Sequence, residues 1–86
     1  MNHATSLILG YLSSSKNRVN DLQVTDYYDK IPYTSMALYY SGLKVEIQVF
    51  TDTYIKVISN SNTSICNNVQ KVYDYLYNLE SLYYRV

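Results

Sequence analysis

Cysteine, histidine and proline occur once each in this chain, glycine twice and tryptophan not at all. Each shortage removes a class of protein. With Cys66 alone there can be no intrachain disulfide, which excludes the small secreted disulfide scaffold. One imidazole, one thiol and scattered carboxylates do not make a ligand cluster, so no metal site is expected. Gly10 and Gly42 are too far apart for a glycine-rich phosphate loop, and no G-x-S-x-G elbow occurs. His3 has no companion group to orient it as a base. Cys66 reads as a small core residue. No enzyme and no cofactor are expected.

Charge is also scarce. Seven basic and seven acidic side chains cancel to a net charge of +0. No global field then draws the protein to phosphate backbones or anionic lipid, which disfavours nucleic acid as a partner. The apolar run Leu7 to Leu12 is short, is broken by Gly10 and has no lysine or arginine before it. It fits neither a signal peptide nor a membrane span, and a cytoplasmic location with no membrane contact is expected.

What the chain has instead is tyrosine, twelve of them against one phenylalanine. A tyrosine buries a large ring yet needs a partner for its hydroxyl, so the type is enriched where one end is dry and the other wet. Residues with AT-rich codons outnumber glycine, alanine, arginine and proline, a bias associated with phages and mobile elements. A chain of this size has room for one modest core, burying roughly 60–65% of its unfolded surface. A single domain over residues 1–86 is expected.

Hydrophobic spacing predicts the elements. Ala4, Leu7, Ile8, Tyr11 and Leu12 fit one amphipathic helix over His3 to Lys16, weakened at Gly10 and capped by Asn17. Leu22 and Val24 alternate with Gln23 and Thr25 in a short edge strand from Asn20. Asp26 to Pro32 reads as a loop, because Pro32 lacks a donor and holds Ile31 extended. Ser41 and Gly42 mark a two-residue hairpin that sets Leu38 against Val45 and Met36 against Ile47. A further turn at Thr51 to Thr53 sets Val49 against Ile55, Ile47 against Val57 and Phe50 against Tyr54. A one-residue slip there would bury Lys56. Thr63 or Ser64 can cap a final helix with a heptad seam of Ile65, Val69, Val72, Leu76, Leu79, Tyr83 and Val86. The fold class is α+β: an N-terminal helix, a three- or four-stranded antiparallel meander, and a long C-terminal helix on the same sheet face.

This threading leaves two surfaces to carry function. Tyr33, Tyr39, Lys44, Phe50, Tyr54 and Lys56 fall on the outer sheet face, beside Glu46 and Gln48. Tyr75, Tyr77, Leu79, Tyr83 and Tyr84 border or extend the helix seam, which overhangs the sheet and suits a homodimer or a partner helix. RNA-recognition sheets also set aromatic platforms beside positive charges. The order helix, three strands, helix resembles the double-stranded RNA-binding domain, whose function depends on a basic patch opening its second helix. Asn67 to Lys71 holds a single lysine there, so the resemblance is one of topology.

The expected function is a non-enzymatic protein-binding module, a phage or mobile-element accessory protein that binds and inhibits a host defence protein. Rigid tyrosines would serve as its anchors. The alternative is a small nucleic-acid-binding regulator that uses the outer sheet face.

Overall fold

The computed structural model describes residues 2–15 and 17–84, with the side chains of the last helix described as far as Leu79. Its elements are α1 (His3–Ser14), β1 (Val19–Tyr27), β2 (Tyr33–Tyr40), β3 (Leu43–Thr51), β4 (Tyr54–Ser59), β5 (Asn62–Cys66) and α2 (Val69–Tyr84). The strands form one antiparallel meander in the order β1-β2-β3-β4-β5. The protein is α+β as expected, but with five strands where three or four were predicted.

The additional strand is β5, and it replaces the first turn of the predicted final helix. Asn60 and Ser61 both take positive φ (50° and 67°) and turn the chain back in two residues, pairing Ser59 with Asn62. Ile65 therefore lies on a strand opposite Lys56 and is 57% exposed, not in the helix seam. The helix cap is Asn68, whose side chain accepts from Lys71 N–H at 2.9 Å, and not Thr63 or Ser64.

The central hairpin has the expected register, Tyr40 with Leu43, Leu38 with Val45 and Met36 with Ile47. Ser41 (φ 51°) and Gly42 (φ 85°) make its turn, both with the positive φ that a tight hairpin requires. In the next hairpin Ile47 pairs with Val57 and Val49 with Ile55, but Tyr54 pairs with Thr51 because Phe50 bulges out of register. A second bulge sets Asp21 and Leu22 against Leu38 on the edge strand β1. That strand also takes in Asp26 and Tyr27, shortening the predicted loop to residues 28–32.

Alternating residues of β2, β3 and β4 bury Met36, Leu38, Tyr40, Val45, Ile47, Val49, Ile55 and Val57 beneath both helices. From α1 come Ala4, Ile8 and Leu12, and from α2 Val72 and Leu76. Fully burying Ile8 and Leu12 contributes about 1.5–3 kcal/mol each. The glycine at position 10 costs α1 only about 1 kcal/mol, so docking decides that the helix forms.

Helix α1 ends at Ser14 with Ser15 as its C-cap, earlier than the Asn17 cap expected. It starts beside the β3–β4 turn, where Asp52 accepts from Ala4 N–H at 2.8 Å and Asn2 accepts from Thr5 N–H at 3.0 Å. Helix α2 starts at the same end of the sheet, after Cys66, the partner of Ile55. The two helices therefore run side by side in the same direction. Tyr11 and Tyr73 stack between them at 4.5 Å, and the Tyr73 hydroxyl donates to the Leu7 carbonyl at 3.2 Å. Among the described residues no helix is long and apolar enough to cross a membrane.

Candidate protein-binding face

The sheet face turned away from the helices carries the residues that alternate with the core: Tyr33, Ser35, Ala37 and Tyr39 from β2; Lys44, Glu46, Gln48 and Phe50 from β3; Tyr54, Lys56 and Ile58 from β4. Strand pairing brings four rings together at one end of it. Tyr27 and Tyr33 are paired across β1 and β2, with ring centroids 4.9 Å apart and planes at 21°. Tyr33 and Phe50 are 4.8 Å apart at 31°, and Phe50 and Tyr54 5.3 Å apart at 34°. These separations follow the spacing of the strands themselves, about 4.8 Å. The rings stand as a continuous ladder across β1 to β4, stacked between Tyr27 and Tyr33 and tilted on either side of Phe50. The bulge at Phe50 does not break it.

Lys56 closes the ladder at its far end, with Nζ 5.3 Å from the Phe50 ring and 5.8 Å from the Tyr54 ring. The opposite end is extended by the 28–32 loop, in which Tyr28 is 85% exposed and Ile31 67%. An open hollow of about 230 Å³ wraps that end of the sheet, lined by Tyr27, Tyr28, Pro32, Tyr33 and Phe50 together with Asn2, Asp26, Thr34 and Val49. Behind the ladder lies a fixed negative charge. One oxygen of Glu46 accepts from Ser35 Oγ at 2.7 Å and from Gln48 Nε2 at 3.1 Å. The Tyr33 phenol is held above its ordinary pKa by desolvation among the rings, then by Tyr27, Glu46 and Asp29. The Tyr33 phenol therefore stays a protonated donor at neutral pH.

Of the six outer-face residues expected from the sequence, Tyr33, Phe50, Tyr54 and Lys56 come together. Tyr39 and Lys44 pair with one another on the same face but near its other end, about 20 Å along β2 from Tyr33 at 3.3 Å per residue. Tyr27 belongs to the ladder and was missed, because Pro32 made its surroundings read as loop. The signal that could have found it is the symmetry of Tyr27 and Tyr33 about a five-residue connection.

The helix surface holds less of the predicted site. Leu79 packs against the core, and the seam residues Val72 and Leu76 are fully buried against the protein's own sheet. Among the described residues of the helix, the seam positions Val69, Val72, Leu76 and Leu79 all pack in or against the protein's own core. Tyr75 is half-buried beside the β4–β5 turn and Tyr77 is 66% exposed on another flank. The side chains of Tyr83 and Tyr84 lie outside the described residues. Cys66 is buried, and burial raises its thiol pKa against the opposing pull of Lys71.

Among the described residues no group of His, Cys, Asp and Glu could hold a metal ion. No family model matches the chain, and neither does any curated protein or solved structure.

Proposed function

We propose that the protein is a non-enzymatic binding module whose aromatic ladder and adjoining 28–32 loop dock on another protein. The observation that carries this reading is the cross-strand stacking of Tyr27, Tyr33, Phe50 and Tyr54. The interior rings Tyr33 and Phe50 each stand between two ring neighbours, so they offer edges, and Tyr33 a hydroxyl, to a partner more readily than open faces to nucleobases. Base stacking needs a free π-face. The Glu46 carboxylate, fixed on the same face, further opposes a phosphate backbone. A protein surface with an apolar patch, acceptors for the phenols and an acid for Lys56 meets every group present. Rigid aromatic rings supply such contact area at low entropic cost.

The composition, rich in AT-codon residues, extends the proposal to its setting: a phage or mobile-element accessory protein acting inside a host cell on a host protein. Occluding that protein would inhibit it without any chemistry. The test is the salt dependence of binding. A protein partner held by the ladder dissociates only slightly more readily between 50 and 200 mM salt, whereas oligonucleotide binding through Lys56 and Lys44 would fall steeply over the same range. Tight, salt-sensitive oligonucleotide binding abolished by Lys56→Ala would replace this reading with the nucleic-acid one.

A further inference from the structure

The two free edges of the sheet differ in a way that bears on assembly. Edge strands expose unpaired backbone groups and are ordinarily blunted by charge, proline or bulges. Strand β1 is blunted, with a bulge at Asp21 and Leu22, positive φ at Asp21 (56°), and acids at Asp21 and Asp26. Strand β5, Asn62–Cys66, has no charge, no proline and an unbroken register with β4. Because Ser59 and Asn62 flank a two-residue turn, Asn62, Ser64 and Cys66 bond inward to β4. Thr63 and Ile65 then direct their N–H and C=O groups outward.

We propose that β5 pairs antiparallel with β5 of a second copy of this chain about a twofold axis through Ser64, making one continuous sheet. Thr63 of each copy then lies opposite Ile65 of the other, and each such pair exchanges two backbone bonds. The exposed Ile65 side chain gains a neighbour on the outer face.

The helix layer selects a second copy over a lone extended peptide. Helix α2 packs against both β4 and β5, so its axis lies about half a strand spacing inside the edge. Pairing the edges sets the two α2 axes about two strand spacings apart, roughly 10 Å, which matches the 8–10 Å of packed helices. The flanks that meet carry Lys71, the half-buried Tyr75 and Asn78. The helices run antiparallel there, which brings each Lys71 toward the other copy's Asn78 and keeps the two cations apart. A peptide would satisfy the edge and leave this flank bare. The assembly is isologous and closed, and its surface is distinct from the aromatic ladder.

Sedimentation of the full chain at tens of micromolar is expected to show a dimer. Ile65→Pro should be monomeric with native circular dichroism, because the lost N–H points away from β4 and proline is tolerated at such a position. A monomeric parent, or a folded Ile65→Pro variant that remains dimeric, overturns the proposal. Should Ile65→Pro fail to fold, Ser64→Cys in a Cys66→Ala background decides. Facing non-hydrogen-bonded positions lie about 4.5 Å apart and suit a disulfide, so mild oxidation gives a covalent dimer if the pairing exists and only monomer if it does not. Tyr27→Ser with Tyr54→Ser should leave the dimer intact, which separates this outcome from that of the ladder.

Discussion

The Tyr33 and Phe50 rings lie 4.8 Å apart across neighbouring strands, on residues that alternate with the core positions beneath the helices. A stack of this kind stabilises the sheet that displays it, since aromatic pairs contribute about 0.5–1.5 kcal/mol beyond their buried area. The structural role and the proposed binding role are therefore superposed in the two inner rings. They separate in the outer two, Tyr27 and Tyr54, which are 42% and 40% exposed and, among the described residues, have one ring neighbour each.

The inner pair should be energetically coupled. A double-mutant cycle with Tyr33→Ala and Phe50→Ala, read by urea unfolding, is expected to give an interaction of about 0.5–1.5 kcal/mol. Tyr39→Ala combined with Phe50→Ala should be additive to within about 0.3–0.5 kcal/mol. Additivity in both cycles would mean that the rings are neighbours without being partners.

Asp52 links the β3–β4 turn to the first amide groups of α1 through its 2.8 Å bond from Ala4 N–H. Asp52→Ala should lower stability by about 1–2 kcal/mol, the cost of losing a helix N-terminal acceptor, and Asp52→Asn by less, because the amide oxygen can still accept. Equal thermal transitions for both variants would show that the acceptor is dispensable.

Gly10 sits in the interior of α1, exposed, and apart from its chain neighbours and its own helix backbone no described atom lies within 4 Å of where a Cβ would stand. Gly10→Ala is therefore expected to raise stability by about 0.5–1 kcal/mol in chemical denaturation. A loss of stability would mean that the glycine is needed for something other than local helix geometry.

Burial raises the pKa of Cys66 and of Tyr73, the latter also through Tyr11. Where the folded pKa lies above the unfolded one, the unfolded chain loses its proton first as pH rises. Stability from these groups is complete below the ordinary thiol pKa of about 8.5 and declines as pH climbs from there through the folded values. Urea midpoints should fall above about pH 8.5, and Cys66→Ala should flatten the first part of that decline. An unchanged slope in Cys66→Ala would assign the alkaline loss to other groups.

The central hairpin was legible because Ser41-Gly42 combines a glycine that accepts positive φ with apolar alternation on both sides. The β4–β5 turn uses Asn60-Ser61 with no glycine, and Ile65, Val69 and Val72 continue a helical spacing by coincidence across the strand–helix junction. A periodic pattern thus outweighed a turn that carries little compositional signal. The ladder was half legible for a related reason. Alternation places Tyr33, Phe50 and Tyr54 on one face, but alternation alone does not tell which end of a face a residue occupies. Tyr39 and Lys44 accordingly joined the predicted site although pairing sets them far along β2.

The proposed function requires that the ladder be the part of the surface that binds. The direct measurement is the affinity of a protein partner recovered from cell lysate for three proteins: the parent, Tyr39→Ser, and Tyr27→Ser with Tyr54→Ser, each first shown to be folded. The ladder-end variant should lose at least about tenfold in Kd, equivalent to 1.4 kcal/mol or more, while Tyr39→Ser binds as the parent does. Equal affinity of all three, or a loss confined to Tyr39→Ser, would contradict it.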